Sequence, residues 1–172
     1  MNNQNYIESA KKFAKDKFSE AGLNNHFLEV YNIMLNEFGI NDQEVLSAGI
    51  LHDVLEDTEA TYSELSKTFS KKVADYVTEV SHPKNYNREQ KLQYYEKIKT
   101  ISDSGKLIKM ADFTSHLRNF IEIYKRNEQN LYPKFVNNDR YITSIRDFLD
   151  NCPKSDPKQT VFLLTKVLEK YL

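Results

Sequence analysis

Four ionisable side chains stand within six positions of the stretch Leu51–Ala60, which reads LHDVLEDTEA and is otherwise largely apolar. They are one histidine and three carboxylates: His52, Asp53, Glu56 and Asp57. Charged groups are rarely buried unless they are paired or bind a metal ion. An imidazole and a neighbouring carboxylate can ligate one cation of the Mn, Fe or Zn kind. The stretch therefore indicates a divalent-metal site in which the remaining carboxylates act on a water molecule.

The expected geometry of this stretch follows from a helical conformation. Residues four positions apart share a face of a helix, so His52 is predicted beside Glu56 and Asp53 beside Asp57. The four groups then form one patch. The alternative is a helix end that turns toward solvent at Asp57 and needs no metal ion.

A metal ion needs more than two protein ligands, and two further residues are candidates. The chain has four histidines, and one of them, His26, stands among the apolar residues of the second predicted helix. A histidine there also fits a core residue bonded to a carbonyl group. Asp112 interrupts an apolar run in KLIKMADFTSHLRN, and a buried carboxylate requires a partner. Ionisable groups in three apolar helices favour one shared site.

Composition limits the kind of protein that can hold such a site. The chain has 172 residues and a formal net charge of −1, which is typical of one globular domain over residues 1–172. This charge gives no indication of a nucleic-acid or membrane surface. Cys152 is the only cysteine, which excludes an internal disulfide and favours a reducing compartment. The N-terminal residues lack an apolar signal core, so we expect a cytoplasmic protein.

The periodicity of apolar residues predicts the elements that position the site. Apolar residues recur every three or four positions, and no segment alternates convincingly at period two. We therefore predict an all-α, single-domain helical bundle with about eight or nine helices. Capping-box patterns predict helix starts at Asn41–Glu44 and Thr61–Glu64, and Asn87 is a further predicted N-cap. Helix ends or breaks are predicted at Gly22, Gly39 and Asp103–Gly105.

Together, these motifs resemble a known family. His26, His52-Asp53 and Asp112 match the H…HD…D pattern of the HD-domain metal-dependent phosphohydrolases. The stretch LHDVLEDTEATYSEL resembles the HDxxEDT stretch of the (p)ppGpp hydrolase domain in RelA/SpoT homologues. The segments VTEVSHPKNYNREQKLQYYE and GKLIKMADFTSHLRNF are similar to the corresponding segments of the small, stand-alone alarmone hydrolases.

The resemblance implies a fold, a metal and a reaction. The fold is the all-α bundle of the HD-domain type, and the metal is a divalent ion, Mn²⁺ in this family. Glu56 and Asp57 match the catalytic pair that orients and deprotonates the attacking water. The implied reaction removes pyrophosphate from the 3′ position of the small-molecule nucleotide ppGpp or pppGpp. The implied metal ligands are His26, His52, Asp53 and Asp112.

Substrate recognition is where the chain departs from the family pattern. The family has Asn four residues after the last metal-binding aspartate, where this chain has His116. His116 is therefore a candidate for contacting a ribose or phosphate, or for donating a proton. The family also has an Arg-Lys pair that stacks on guanine. Lys15 and Lys17 are the candidates here, although a lysine cannot stack as a planar guanidinium does.

Phosphate binding requires cationic side chains near the metal. Lys109 and Arg118 are the candidates that lie nearest Asp112 in sequence. A solvated helix surface explains any single lysine equally well.

Two other functions stay open at this point. One is an HD phosphohydrolase that acts on a different nucleotide, which the departure at His116 favours. The other is a non-catalytic, nucleotide-binding HD protein, against which the presence of both Glu56 and Asp57 counts. The sequence predicts no nucleic-acid or membrane partner and does not indicate an oligomeric state.

Overall fold

Helices make up the regular structure of the chain. The computed structural model describes residues 3–21, 25–82, 85, 87–128 and 138–172. In chain order the helices are α1 (Asn3–Glu20), α2 (His26–Asn32), α3 (Gln43–Ile50), α4 (Val54–Asp57), α5 (Tyr62–Thr68), α6 (Lys71–Val80), α7 (Arg88–Ile98), α8 (Asp103–Lys125), α9 (Asn138–Asp150) and α10 (Asp156–Leu168). Nine of these have seven or more residues, and the described ranges contain no strand. The predicted all-α class is confirmed, and one domain over residues 1–172 stays a prediction.

The 23-residue helix α8 lies at the centre of the bundle. It packs against α10, α6, α2 and α3. Its apolar residues Ile108, Ala111 and Leu117 are fully buried, and several polar residues between them are buried as well. Because neighbouring helices cover α8 on several sides, Asp112 in its middle lies in the protein interior.

A close approach between α3 and the segment after α2 brings two of the site-bearing regions together. α2 continues into a π-helical segment, Ile33–Glu37, and the side chain of Met34 in this segment lies against Gly49 of α3. A methyl group at Gly49 would overlap the sulfur of Met34. The absence of a side chain at Gly49 therefore allows the two segments to pack at this distance.

Several predicted helix ends are confirmed. The Thr61 hydroxyl accepts a hydrogen bond from the backbone N–H of Glu64 at 3.2 Å and caps α5. Only this half of the predicted capping box is found, and the Glu64 carboxylate pairs with Lys17 at 3.0 Å instead. Asn87 and Gln90 form a reciprocal capping box at the start of α7, with bonds of 2.9 and 2.8 Å. The chain leaves the helix at Gly39, whose φ of 66° suits a residue without a Cβ atom.

The predicted capping box at Asn41–Glu44 is wrong by one residue. Asp42 is the N-cap of α3, and its carboxylate accepts from the backbone N–H groups of Glu44 and Val45 at 2.8 and 3.2 Å. With Asp42 as the N-cap, the third helical position is Val45, which cannot complete a capping box. The Glu44 carboxylate instead accepts a hydrogen bond from the Ser70 hydroxyl at 2.8 Å.

The predicted break at Asp103–Gly105 is also wrong, since these residues form the first turn of α8. Ser102 is the N-cap, and its hydroxyl oxygen accepts from the Gly105 N–H at 3.1 Å. The same hydroxyl donates to the Glu79 carboxylate at 2.5 Å. The predicted helix end at Gly22 lies outside the described residues.

Across the described ranges, no helix combines the length and apolar character that crossing a membrane requires.

Candidate metal centre

The predicted ligands come from three separate parts of the fold. His26 is the first residue of α2, and Asp112 lies in the middle of α8. His52 and Asp53 lie in the turn between α3 and α4. Since α2 packs against both α3 and α8, and α3 packs against α8, the three regions meet at one place.

The stretch that holds His52 and Asp53 is not one continuous helix, as the sequence predicted. α3 ends at Ile50 and α4 begins at Val54. The Nδ1–H of His52 donates to the Gly49 carbonyl at 2.8 Å, and a continuous helix would offer that carbonyl to the Asp53 amide. The side chain of His52 therefore replaces a backbone hydrogen bond at the point where the helix breaks.

The break sends the charged groups of this stretch in different directions. His52 faces Asp53 and Asp112, whereas both carboxylate oxygens of Glu56 contact His82, which follows α6. The four groups therefore do not share one helix face as predicted, although Asp57 still lies close enough to Asp53, Glu56 and His52 for their charges to act on it.

Imidazole nitrogens and carboxylate oxygens nevertheless converge as the metal hypothesis predicts. His26 Nε2 lies 3.2 Å from Asp112 Oδ1, and His52 Nε2 lies 3.8 Å from the same oxygen. His52 Nε2 also lies 2.9 Å from Asp53 Oδ2. Ligand atoms of His26, His52 and Asp53 all lie within 4.8 Å of one another. The four predicted ligands thus form one cluster.

The Nε2 atom of His52 shows that this cluster fits a cation. A carbonyl oxygen can only accept a hydrogen bond, so the contact with Gly49 assigns the proton to Nδ1 and turns the Nε2 lone pair toward the carboxylates. His52 is 1% exposed, and its Nε2 has no hydrogen bond of good geometry. A nitrogen lone pair that faces two carboxylates needs a proton or a metal ion between them.

The local field at His52 has the sign that attracts a cation. Burial lowers the pKa of His52, but the Asp53 and Asp112 carboxylates outweigh burial and raise this pKa to about 9. Burial raises the pKa of Asp53, and the His52 imidazole outweighs it, so the pKa of Asp53 is lowered. The site therefore presents ionised carboxylates to the cluster at neutral pH.

Lys109 has a different position from the one that the sequence predicted. Its side chain is buried, 6% exposed, and its Nζ donates to Asp112 Oδ2 at 2.6 Å. Burial lowers the pKa of Lys109, but Asp112 outweighs burial and raises it. Burial also raises the pKa of Asp112, and Lys109 holds it well below its usual range. Lys109 is thus an internal counter-charge for Asp112, and a contact with substrate is not supported.

His26 is held in place by residues that the sequence did not indicate. The Ser115 hydroxyl donates to Glu29 Oε2 at 2.7 Å, and its oxygen lies 3.2 Å from His26 Nδ1. A hydroxyl carries one proton, so Ser115 accepts the Nδ1–H of His26. The Nε2 lone pair of His26 then faces Asp112, as the Nε2 lone pair of His52 does.

The two predicted catalytic carboxylates have different environments. Glu56 is buried, and its Oε2 lies 2.7 Å from Nε2 of His82 while its Oε1 accepts from the His82 backbone N–H at 2.9 Å. Asp57 lines the open cleft beside the cluster. Burial, together with the carboxylates of Asp53 and Glu56, raises the pKa of Asp57. Asp57 is therefore a stronger base than an exposed aspartate.

The cleft has a volume of about 920 Å³, and Asp53 and His116 lie in its wall. Arg118 also lines it, and its guanidinium makes two 2.7 Å bonds to the carboxylate of Glu37. Of the other predicted substrate-binding residues, neither Lys15 nor Lys17 is among the described lining residues. Lys17 instead forms an ion pair with Glu64 at 3.0 Å.

Sequence reasoning missed His82, Ser115 and Glu29. His82 contacts Glu56 across 26 positions and Ser115 contacts His26 across 89, so no local pattern connects these pairs. Glu29 lies three positions after His26, at 3.9 Å from it, so helical spacing could have indicated this residue. One sequence feature could have indicated His82: it is one of four histidines in the chain, and it stands in a predicted loop.

The all-α fold and the cluster of histidine and aspartate side chains agree with a match to a known protein family. The family model described as HD domain matches residues 4–137, and the chain belongs to this family. The predicted HD-domain type of all-α bundle is thereby confirmed.

Several relatives within that class are similar to part of this chain. It is 39% identical over 95 residues to the guanosine-3′,5′-bis(diphosphate) 3′-pyrophosphohydrolase MESH1 of Drosophila melanogaster, a match that covers 55% of this chain and 53% of the relative. The human MESH1 is 38% identical over the same length and coverage. The bifunctional (p)ppGpp synthase/hydrolase SpoT of Escherichia coli is 34% identical over 90 residues, 45% of this chain and 12% of that protein. The chain spans about half the length of the MESH1 relatives that it matches.

A solved structure extends the likeness over nearly the whole chain. A protein described as a metazoan ortholog of SpoT that hydrolyzes ppGpp has a TM-score of 0.71 and 26% sequence identity. The match covers 96% of this chain and 93% of that one. The resemblance to alarmone hydrolases that the motifs indicated is therefore confirmed.

Proposed function

We propose that this protein is a metal-dependent phosphohydrolase that removes the 3′-pyrophosphate of ppGpp or pppGpp. The observation that carries the proposal is the convergence of His26, His52, Asp53 and Asp112 beside an open cleft. Membership of the HD domain family and the names of the MESH1 relatives support the choice of reaction.

The four converging residues would hold one divalent ion, and two nitrogen and two carboxylate donors suit Mn²⁺, Fe²⁺ or Zn²⁺. We propose Mn²⁺, following the family resemblance. When bound, such an ion lowers the pKa of a water molecule and offsets phosphate charge.

The charge of the cleft supports a requirement for this cation. The described lining carries four carboxylates and one guanidinium: Glu29, Asp53, Asp57, Glu122 and Arg118. An acidic cleft repels a substrate with several phosphate charges. A divalent ion at the cluster would offset part of this negative charge where the phosphates must lie.

Asp57 is the residue that we assign to the proton transfer. A water oxygen forms a bond to the phosphorus next to the 3′-oxygen, and Asp57 accepts a proton from that water. The bond from phosphorus to the 3′-oxygen breaks, and the ribose oxygen leaves as a hydroxyl group by taking the proton that Asp57 accepted from the water. The raised pKa of Asp57 makes it a better proton acceptor. Glu56, held by His82, completes the carboxylate pair.

Recognition of the nucleotide falls to polar residues of the cleft. Arg118 and the amides of Asn25, Asn32 and Asn119 lie in the described lining. Amide and guanidinium groups can donate hydrogen bonds to phosphate and to the carbonyl oxygen of guanine. We assign no contact to Lys15 or Lys17, because neither is part of the described wall.

The proposal is tested by measuring pyrophosphate and GDP release from ppGpp, beside GTP, ATP and dATP, with Mn²⁺ and with chelator. We expect hydrolysis of ppGpp alone, and only with metal present. Binding of metal without any ppGpp hydrolysis would contradict the proposed substrate.

Matched variants separate metal binding from catalysis. Asp53→Asn is expected to abolish metal binding and turnover, since it removes a ligand charge. Asp57→Asn is expected to retain metal and lose turnover by about 100-fold or more, since it removes the proton acceptor. Asp147→Asn, on the exposed face of α9, makes the same chemical change and should leave both properties intact.

An HD phosphohydrolase for a different nucleotide is the second candidate. The observation that favours it is the absence of Lys15 and Lys17 from the described cleft wall, because these were the candidates for guanine recognition. Hydrolysis of ATP or dATP in preference to ppGpp would establish it. A non-catalytic nucleotide-binding protein would show nucleotide binding with no turnover of any of the four. The expected cytoplasmic location stays a prediction.

A further inference from the structure

His116 occupies an unusual position for a helix-surface residue. It lies one turn after Asp112 on α8, and its side chain is 42% exposed in the wall of the cleft. Its Nδ1 atom nevertheless lies 3.2 Å from Asp112 Oδ1. This distance equals that from His26 Nε2 to the same oxygen, where His26 also has hydrogen-bond geometry, so two imidazole nitrogens approach one carboxylate oxygen.

The ring of His116 is fixed in this direction by its neighbours. It stacks on the His26 ring with 4.7 Å between centroids and 7° between planes. Its other neighbour is Phe120, with 6.2 Å between centroids and 6° between planes. These two ring contacts restrict the plane of the His116 ring, and in this plane Nδ1 lies on the side of Asp112.

The ligand atoms confirm the convergence. Potential ligand atoms of His26, Asp112 and His116 all lie within 4.8 Å of one another, as those of His26, His52 and Asp53 do. The two sets share His26, and His52 Nε2 lies 3.8 Å from Asp112. The two sets are therefore adjacent and are joined through His26 and through the contact between His52 and Asp112.

We infer that His116 is a fifth protein ligand of the metal ion, giving a site of three imidazoles and two carboxylates. The inference rests on the proposed function only in that a divalent ion binds at this cluster. Imidazole donors suit Zn²⁺, Co²⁺ and related ions better than Mn²⁺, for which oxygen donors are preferred. Compared with the four-ligand site alone, His116 therefore raises the affinity for Zn²⁺ and Co²⁺ more than the affinity for Mn²⁺, the ion proposed for turnover.

The test compares metal affinities of the metal-free wild-type chain with those of His116→Gln. Glutamine can donate a hydrogen bond to Asp112 as an imidazole N–H does, but an amide is a poor ligand for these ions. We expect Zn²⁺ and Co²⁺ affinity, measured by chelator competition, to fall about tenfold or more, and Mn²⁺ affinity to fall less. The visible absorption of bound Co²⁺ should change at the same time, and the stoichiometry should stay at one ion per chain.

His82→Gln is the matched control, because it removes one imidazole from the chain outside the donor cluster. It should leave the Co²⁺ spectrum and the metal affinities unchanged. Circular dichroism checks that both variants fold, which the exposure of His116 favours. Unchanged affinities and spectrum in His116→Gln would overturn the inference and leave the proposed function intact. Failure of the wild-type chain to bind any divalent ion would overturn both.

Discussion

Both oxygens of the Glu56 carboxylate are held by one residue, His82. The Nε2 atom of His82 lies 2.7 Å from Oε2, and the backbone N–H of His82 donates to Oε1 at 2.9 Å. His82 is the second residue after the end of α6. The end of α6 therefore determines the direction of the Glu56 carboxylate on α4. This contact keeps Glu56 beside Asp57 in a fixed orientation.

Replacing His82 with alanine should therefore lower turnover without affecting metal binding. Loss of orientation at a reacting group costs on the order of 10-fold to 100-fold in rate. The measurement is the rate constant for nucleotide hydrolysis at saturating metal, together with metal affinity by chelator competition.

The variant His82→Gln provides the conservative comparison, since its amide can still donate to Glu56. It should recover part of the lost rate, because the position of the carboxylate is what matters. An equal loss of rate in both variants would contradict a positioning role and point to proton transfer by the imidazole itself.

Removal of the buried cation Lys109 should destabilise the metal-free protein. In Lys109→Met the Asp112 carboxylate keeps its charge but loses the ammonium group 2.6 Å away. Breaking a buried ion pair in this way costs about 3–5 kcal/mol in the free energy of unfolding. Urea denaturation measures this change, and the cost should be smaller when a divalent ion is bound near Asp112.

Two companion variants make the Lys109 prediction specific. Lys109→Met combined with Asp112→Asn should be less destabilised than Lys109→Met alone, because no charge is then left unpaired. Lys71→Met, at an exposed lysine of α6, should change the free energy of unfolding by no more than about 0.5 kcal/mol. A cost for Lys109→Met as small as that of Lys71→Met would show that the pair is unimportant.

The link from Ser115 to His26 should affect metal affinity. Ser115→Ala removes the acceptor of the His26 Nδ1–H, and residues that orient metal-binding histidines typically contribute about 10-fold to 100-fold in affinity. Chelator competition with Zn²⁺ measures the loss. Ser144→Ala is the control, since the Ser144 hydroxyl bonds a carbonyl of its own helix. If the melting temperature of metal-free Ser115→Ala falls as sharply as its metal affinity, the role of Ser115 is structural instead.

The cysteine of this chain should be chemically inert in the folded protein. Burial raises the pKa of Cys152 to about 11, so only about one molecule in a thousand carries the reactive thiolate near pH 8. The reaction with a thiol reagent should be slow in buffer and fast in concentrated urea. Its rate in the folded state should keep rising up to about pH 11, and a plateau near the usual thiol pKa would contradict this assignment.

Sequence patterns predicted the helices well where the determinants are local. The cap at Thr61 and the box at Asn87 depend on residues three positions apart, and both are present. The break within Leu51–Ala60 was not predicted, because the His52 side chain takes the Gly49 carbonyl from the backbone. The spacing of apolar residues does not indicate that a side chain will replace a backbone donor at this carbonyl.

The sequence by itself determined the helical class and the family, and it supplied the residues to which we assign the chemistry. The tertiary structure decided what each of them faces. His26 meets Asp112 across 86 positions of the chain, and Glu56 meets His82 across 26. Lys109 turns inward to Asp112 because α8 is covered by other helices. His116, one turn after Asp112, reaches the cleft instead. Such directions arise from packing between distant segments, and local patterns of three or four residues carry no information about them.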